Sequence, residues 1–180
     1  MDSAFRGKIS FFLQRGSVYR VLVTRLLLLL VLFSVQRIAF YFYNQSLFDQ
    51  VSFSSISYMI YGGVQFDLVA ILYFNLLYIV LLLLPFSFRY NKLYQKVLDV
   101  FFVVINSISF AMNSADIIYY RFSLRRTTFS VLKEFENESG HFGKMLSQFV
   151  FNYWYVSVFL ALLIVLLVWF VKKTKVVHEF

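Results

Sequence analysis

Four long apolar runs leave this chain few ways to fold. They cover residues 21–43, 64–84, 97–119 and 150–171. Each holds about 20 residues, which as a helix rising 1.5 Å per residue crosses a hydrocarbon core of about 30 Å. Inside lipid no water is available to backbone N–H and C=O groups, so only helices or closed barrels can span. The runs are continuous rather than alternating, which selects helices. The expected fold is therefore all-α: a polytopic bundle of four transmembrane helices forming one domain over the whole chain. The external connections are expected at residues 44–63 and 120–149.

Composition agrees. The 180 residues are 61% hydrophobic and only 14% charged. A soluble domain of that size exposes too much surface to hide so much apolar area. The net charge of +8 could suggest nucleic acid as a partner. Its distribution excludes that, because the basic residues flank apolar runs, as the positive-inside rule requires. There is no cysteine, hence no disulfide or thiolate chemistry. The first run is too long for a cleavable signal peptide, and no small-residue cleavage site follows it.

The connecting segments orient the bundle. Arg6, Lys8, Arg15 and Arg20 precede the first run; Arg89, Lys92 and Lys96 separate the second from the third; Lys172, Lys173 and Lys175 follow the fourth. These segments are expected in the cytoplasm, together with both termini. The connection 44–63 has no Lys or Arg and is expected outside. The connection 120–149 mixes Arg121, Arg125, Arg126, Lys133 and Lys144 with Glu134, Glu136 and Glu138. Topology also puts it outside, against the charge bias. The expected location is a bacterial inner (cytoplasmic) membrane, crossed several times.

Short interfacial helices are expected on the outer side. "VSFSSISYMIYGG" ends in Gly62 and Gly63. It reads either as an interfacial helix or as the outer part of a long second helix kinked at the glycines. "TTFSVLKEFENESGHFG" reads as a short helix with Phe129, Leu132 and Phe135 on one face. "FNYWY" at the start of the fourth run marks the outer interface and Trp169 the inner one.

Polar residues gather at one depth. Arg37 is late in the first run, Asp67 early in the second, and Asp116 closes the third, followed by Arg121, Arg125 and Arg126. Two readings follow. In one, Arg37–Asp67 and Asp116–Arg121 or Asp116–Arg125 pairs pin helices together. In the other, the group binds an anionic lipid headgroup, since the planar guanidinium fork gives phosphate two hydrogen bonds at once. Asn75, Asn106 and Asn113 are expected to hydrogen-bond between helices. Asp99 is expected to stabilise the N-terminus of the third helix. His141 and His178 have no Cys or acid at metal-ligand spacing, and no His–acid pair stands ready to activate a Ser or Thr. No catalytic or metal site, and no cofactor, is expected within this chain. The lack of charge at mid-membrane disfavours a transporter or channel.

Three stretches carry a family resemblance: "RIAFYFYN" from Arg37, "GGVQFDLVAILYFNLLYIVLLLLPF" from Gly62, and "NSADIIYYRFSLRRTTFSVL" from Asn113. Together the chain resembles the membrane domain of the lipoteichoic acid synthase-like family. These are phosphoglycerol or phosphoethanolamine transferases with an alkaline phosphatase/sulfatase-type catalytic part. The family typically shows Gly-x-Arg-Phe-Asp-Leu in the second helix; here Gln65 stands in place of the arginine. The resemblance implies a fifth helix and a large extracytoplasmic domain, with a threonine nucleophile and a divalent metal held by carboxylates and histidine. On that view this chain is cut before the fifth helix. Its role is to anchor the enzyme and position the lipid, with the bilayer, an anionic headgroup and a catalytic domain as partners. The alternative is a non-catalytic subunit packed against a partner membrane protein.

Overall fold

The computed structural model describes residues 18–48, 53–84, 91–123 and 151–176. Its helices are α1 (Val18–Asn44), α2 (Phe53–Phe74), α3 (Leu76–Leu83), α4 (Lys92–Ser123) and α5 (Trp154–Lys173), with a 3-10 turn at Gln45–Leu47 after α1. Among the described residues there is no extended strand. Among the described residues, three helices are long and apolar enough to cross a membrane: α1 with its 3-10 extension, α4 and α5. Residues Tyr61–Phe74 and Leu76–Leu83 together meet the same test, but they are bent by 59° at their junction.

The junction corrects one expectation. The chain passes through Gly62 and Gly63 as unbroken helix and breaks at Asn75 instead. The segment preceding the glycines is thus the outer part of α2 from Phe53 rather than a separate interfacial helix. A local contact marks the break. The Asn75 side-chain amide donates to the Ile71 carbonyl at 2.9 Å, the acceptor also used by the Asn75 backbone N–H at 3.0 Å. Side-chain bonds back to the i−4 carbonyl often accompany helix bends, but Asn106 makes the same bond to Phe102 at 2.7 Å within unbroken α4, so the bond alone does not break a helix.

Helices α1 and α4 form the spine. Both pack along each other and against α5, and both contact α3. Helix α2 lies along α1 but hardly touches α4. The core is a column of Leu29, Tyr78, Leu82, Phe102, Phe110 and Leu167. Within it Tyr78 and Phe102 lie 4.6 Å apart between ring centres, and Phe33 and Phe110 lie 5.5 Å apart.

Among the described residues, large apolar side chains are exposed along every helix. Phe66, Tyr73, Val158, Leu162, Val165 and Trp169 are exposed, while Arg25, Gln36, Asp67, Asn75, Asn106 and Ser114 are buried. A protein in water avoids a surface of this kind. In lipid it is the expected arrangement, because helices there associate through packing and polar contacts rather than by the hydrophobic effect. At mid-depth Asn75 and Asn106 exchange side-chain amide bonds of 3.1 and 2.8 Å, as expected for the intramembrane asparagines.

Candidate functional site

Arg37, on the outer half of α1, points across to α2. Its Nε donates to Asp67 Oδ2 at 3.1 Å and its Nη2 to Asp67 Oδ1 at 2.6 Å. Nη2 also donates to the Gly63 carbonyl at 3.0 Å. Nη1 has no acceptor among the described residues. The Asp67 side chain keeps 11% of its surface accessible and the Arg37 side chain 28%. The pair is therefore bidentate and well buried at the acid, while the arginine side chain stays partly accessible.

Gly63 makes this geometry possible. A Cβ built there would stand 2.6 Å from Cζ of Arg37, well inside contact distance. Gly62, one position earlier, has nothing within 4 Å of its own notional Cβ. Of the two glycines, only Gly63 is demanded by close approach.

The ion pair sits at the head of a cleft of about 620 Å³. The walls are α2 (Phe66, Asp67, Ala70, Phe74) and α4 (Ser109, Met112, Asn113, Asp116), and the floor is α1 (Phe33, Arg37). Gln36 and Phe40 join the lining behind Arg37. Gln36 donates to the Phe110 carbonyl at 2.9 Å and to Ser114 Oγ at 3.1 Å, which holds α1 against α4 below the pair.

Three of the expected site residues, Arg37, Asp67 and Asp116, line one cleft. Arg121 stands apart. It is exposed, with its guanidinium 5.6 Å from the centre of the Tyr43 ring, and Tyr43 in turn shares a 2.8 Å hydroxyl contact with Tyr155. That places it on an aromatic rim where α1, α4 and α5 end together. Arg125 and Arg126 lie outside the described residues, as do His141, His178 and the stretch beginning "TTFSVL".

A second charged centre, at the opposite end of the bundle, was not expected. Arg25 is 1% exposed and feeds acceptors on three other helices or their ends. It donates to Asp99 Oδ1 at 2.6 Å, Tyr78 Oη at 2.8 Å, Thr174 Oγ1 at 3.1 Å, and the carbonyls of Thr174 at 2.6 Å and Val171 at 3.3 Å. Its guanidinium also lies 5.7 Å from the Phe102 ring centre. Asp99 is thus a partner of Arg25 two turns into α4. The expected role at the helix N-terminus does not hold, because α4 starts at Lys92. The signal was present: an arginine inside a leucine run is costly unless it finds partners. With all three guanidinium nitrogens of Arg25 bonded inside the protein, this centre ties α1, α3, α4 and the C-terminal end of α5 together.

No protein-family model matches the chain, and no curated protein or solved structure does either.

Proposed function

We propose that this chain is a membrane module that holds a lipid by its headgroup and positions it for a phosphotransferase. On this reading the bent pair α2–α3 is one crossing, giving four spans with both termini in the cytoplasm. The Arg37–Asp67–Asp116 end then faces the outer side of a bacterial inner membrane. The transfer itself would belong to a sulfatase-like catalytic domain, as the resemblance to the lipoteichoic acid synthase-like family implies. The observation that carries the reading is the bidentate Arg37–Asp67 pair, with Nη1 left without an acceptor among the described residues and Arg37 lining a cleft of about 620 Å³.

The chemistry is that of a braced guanidinium. Asp67 and the Gly63 carbonyl fix the plane of the fork, so little side-chain entropy is lost when a phosphate oxygen docks on Nη1. The two common phospholipid heads make different demands on the rest of the site. A phosphoglycerol head needs cations to outweigh Asp67 and Asp116, and Arg121, Arg125 and Arg126 are the candidates. An ethanolamine head needs a carboxylate for its ammonium; Asp116 lines the cleft with Arg37 but already has an interaction partner, which the ammonium would share or displace.

The test is lipid affinity of the purified protein for phosphatidylglycerol and phosphatidylethanolamine, measured by titration in detergent. Arg37→Gln should weaken binding about tenfold, the equivalent of about 1.4 kcal/mol. The double substitution Arg121→Ala with Arg125→Ala should weaken phosphatidylglycerol selectively. Unchanged affinity for both lipids in all variants would overturn the reading. A stable complex with another membrane polypeptide, without lipid preference, would favour a scaffold subunit instead.

A further inference from the structure

The cleft is far deeper than a headgroup site requires. Below the ion pair apolar side chains line it on three helices, with Asn113 the polar exception beside Met112. Phe33 is one turn inward from Arg37 on α1, Ala70 and Phe74 are one and two turns inward from Asp67 on α2, and Met112 is one turn inward from Asp116 on α4. Ser109 closes the inner end, and its hydroxyl donates back to the Ile105 carbonyl at 3.1 Å, so it offers no free proton to the cleft. From Asp116 to Ser109 the cleft runs about 10 Å at 1.5 Å per residue, most of the ~15 Å depth of one leaflet.

The break at Asn75 opens this gap. Inward of Asn75, α3 packs on α4; outward of it, α2 departs at 59° and stays on α1 while hardly touching α4. Two reciprocal amide bonds to Asn106 hold the corner in place. The rim residues Phe66, Phe74 and Met112 are exposed, so the open side faces whatever surrounds the bundle. At that depth the surroundings are acyl chains.

We propose that the cleft is a lateral portal: an acyl chain of the same lipid whose head docks at Arg37 enters sideways between α2 and α4 and lies against Phe33, Ala70, Phe74 and Met112. This rests on the headgroup reading above and adds a second, apolar half to the site. It makes the bound ligand a membrane lipid rather than a free phosphate ester. A water-soluble head such as glycerol 3-phosphate then loses most of the affinity, because the apolar contacts are missing. The small side chain of Ala70 keeps the passage open.

The chain has no cysteine, so one introduced cysteine can carry a unique fluorophore. Phe74 lines the cleft, and its neighbour Tyr73 is exposed outside the lining at almost the same depth. In Phe74→Cys and Tyr73→Cys, each labelled with bimane, the probe is phosphatidylglycerol brominated in its acyl chains. It is present as a small fraction of phosphatidylcholine nanodiscs, with brominated phosphatidylethanolamine as the parallel arm. The expected result is stronger quenching at position 74 than at 73 for at least one of the two lipids. Ala70→Trp should remove that excess, while Val69→Trp, also exposed but outside the lining, should keep it. Because Ala70→Trp could impair folding, Ala70→Leu gives a second, milder filling with a partial loss.

Equal quenching at 73 and 74 with both lipids overturns the portal. If Arg37→Gln still lowers lipid affinity in that case, the headgroup reading survives alone. If affinity is also unmoved, both fail. Binding of glycerol 3-phosphate as tight as that of the diacyl lipid would likewise overturn the proposal.

Discussion

At the scale of single residues, two arginines carry the architecture and do so differently. Arg25 is saturated by acceptors from α3, α4 and the end of α5, while Arg37 keeps one nitrogen open. Removing one member of a buried ion pair strands the other, so Arg25→Met should destabilise the bundle by about 3–5 kcal/mol. The companion change Asp99→Leu should recover part of that loss in the double variant, which a thermal-melt double-mutant cycle in detergent would detect. Gly63→Ala supplies a sharper contrast. Its methyl would push the Arg37 guanidinium off Asp67, lowering the melting temperature and lipid affinity together. Gly62→Ala meets open space and should change neither, apart from the gain in helix propensity of about 1 kcal/mol seen in soluble helices. The Arg37–Asp67 pairing was legible in the sequence, because both charges fall at one depth of adjacent spans. The Arg25 centre was legible only in part. Arg25 itself stands out in its leucine run, but Tyr78 and Thr174 look like ordinary interfacial or capping residues until the helices are packed.

At the scale of elements, the bend at Asn75 matters most, and sequence pattern did not locate it. Glycines often accompany helix kinks, yet the helix is unbroken at both of them. What marks the break is an asparagine side chain in competition with its own backbone N–H for the Ile71 carbonyl and held from across the interface by Asn106. Such a competition depends on a partner that only the fold supplies. By contrast, the polar stripe of α4 is plain in the sequence: Asp99, Asn106 and Asn113 recur every seven residues, with Ser109 and Asp116 beside them. Asn75→Leu should straighten the junction and bring α2 onto α4. In a cysteine-free background, spin labels at Phe66→Cys and Met112→Cys should move closer by several ångström in a pulsed dipolar measurement. An unchanged distance would assign the bend to packing against α1 rather than to Asn75.

At the scale of the whole molecule, the polar groups lie inside and apolar ones outside, with charge at both ends of the bundle. Apolar run length and the flanking Lys and Arg residues were enough to read a helical membrane bundle, since lipid permits so few backbone solutions. The cleft itself was not legible, because it is a gap between α2 and α4 and a gap has no sequence signature. The proposed topology can be checked by labelling single cysteines with a membrane-impermeant maleimide in intact cells. Tyr58→Cys should react, and Lys92→Cys and Lys175→Cys should react only after permeabilisation. Reaction of Lys92→Cys in intact cells would reverse the orientation.

The central claim is that a phospholipid head sits at the Arg37–Asp67 end of the cleft. It is tested most directly by photocrosslinking with phosphatidylglycerol and phosphatidylethanolamine that carry a photoreactive group on the head, followed by peptide mapping. The account predicts adducts concentrated on the peptides containing Arg37, Asp67 and Asp116, and their loss in Arg37→Gln. Adducts spread evenly over the ends of the bundle, and unchanged in that variant, would contradict it.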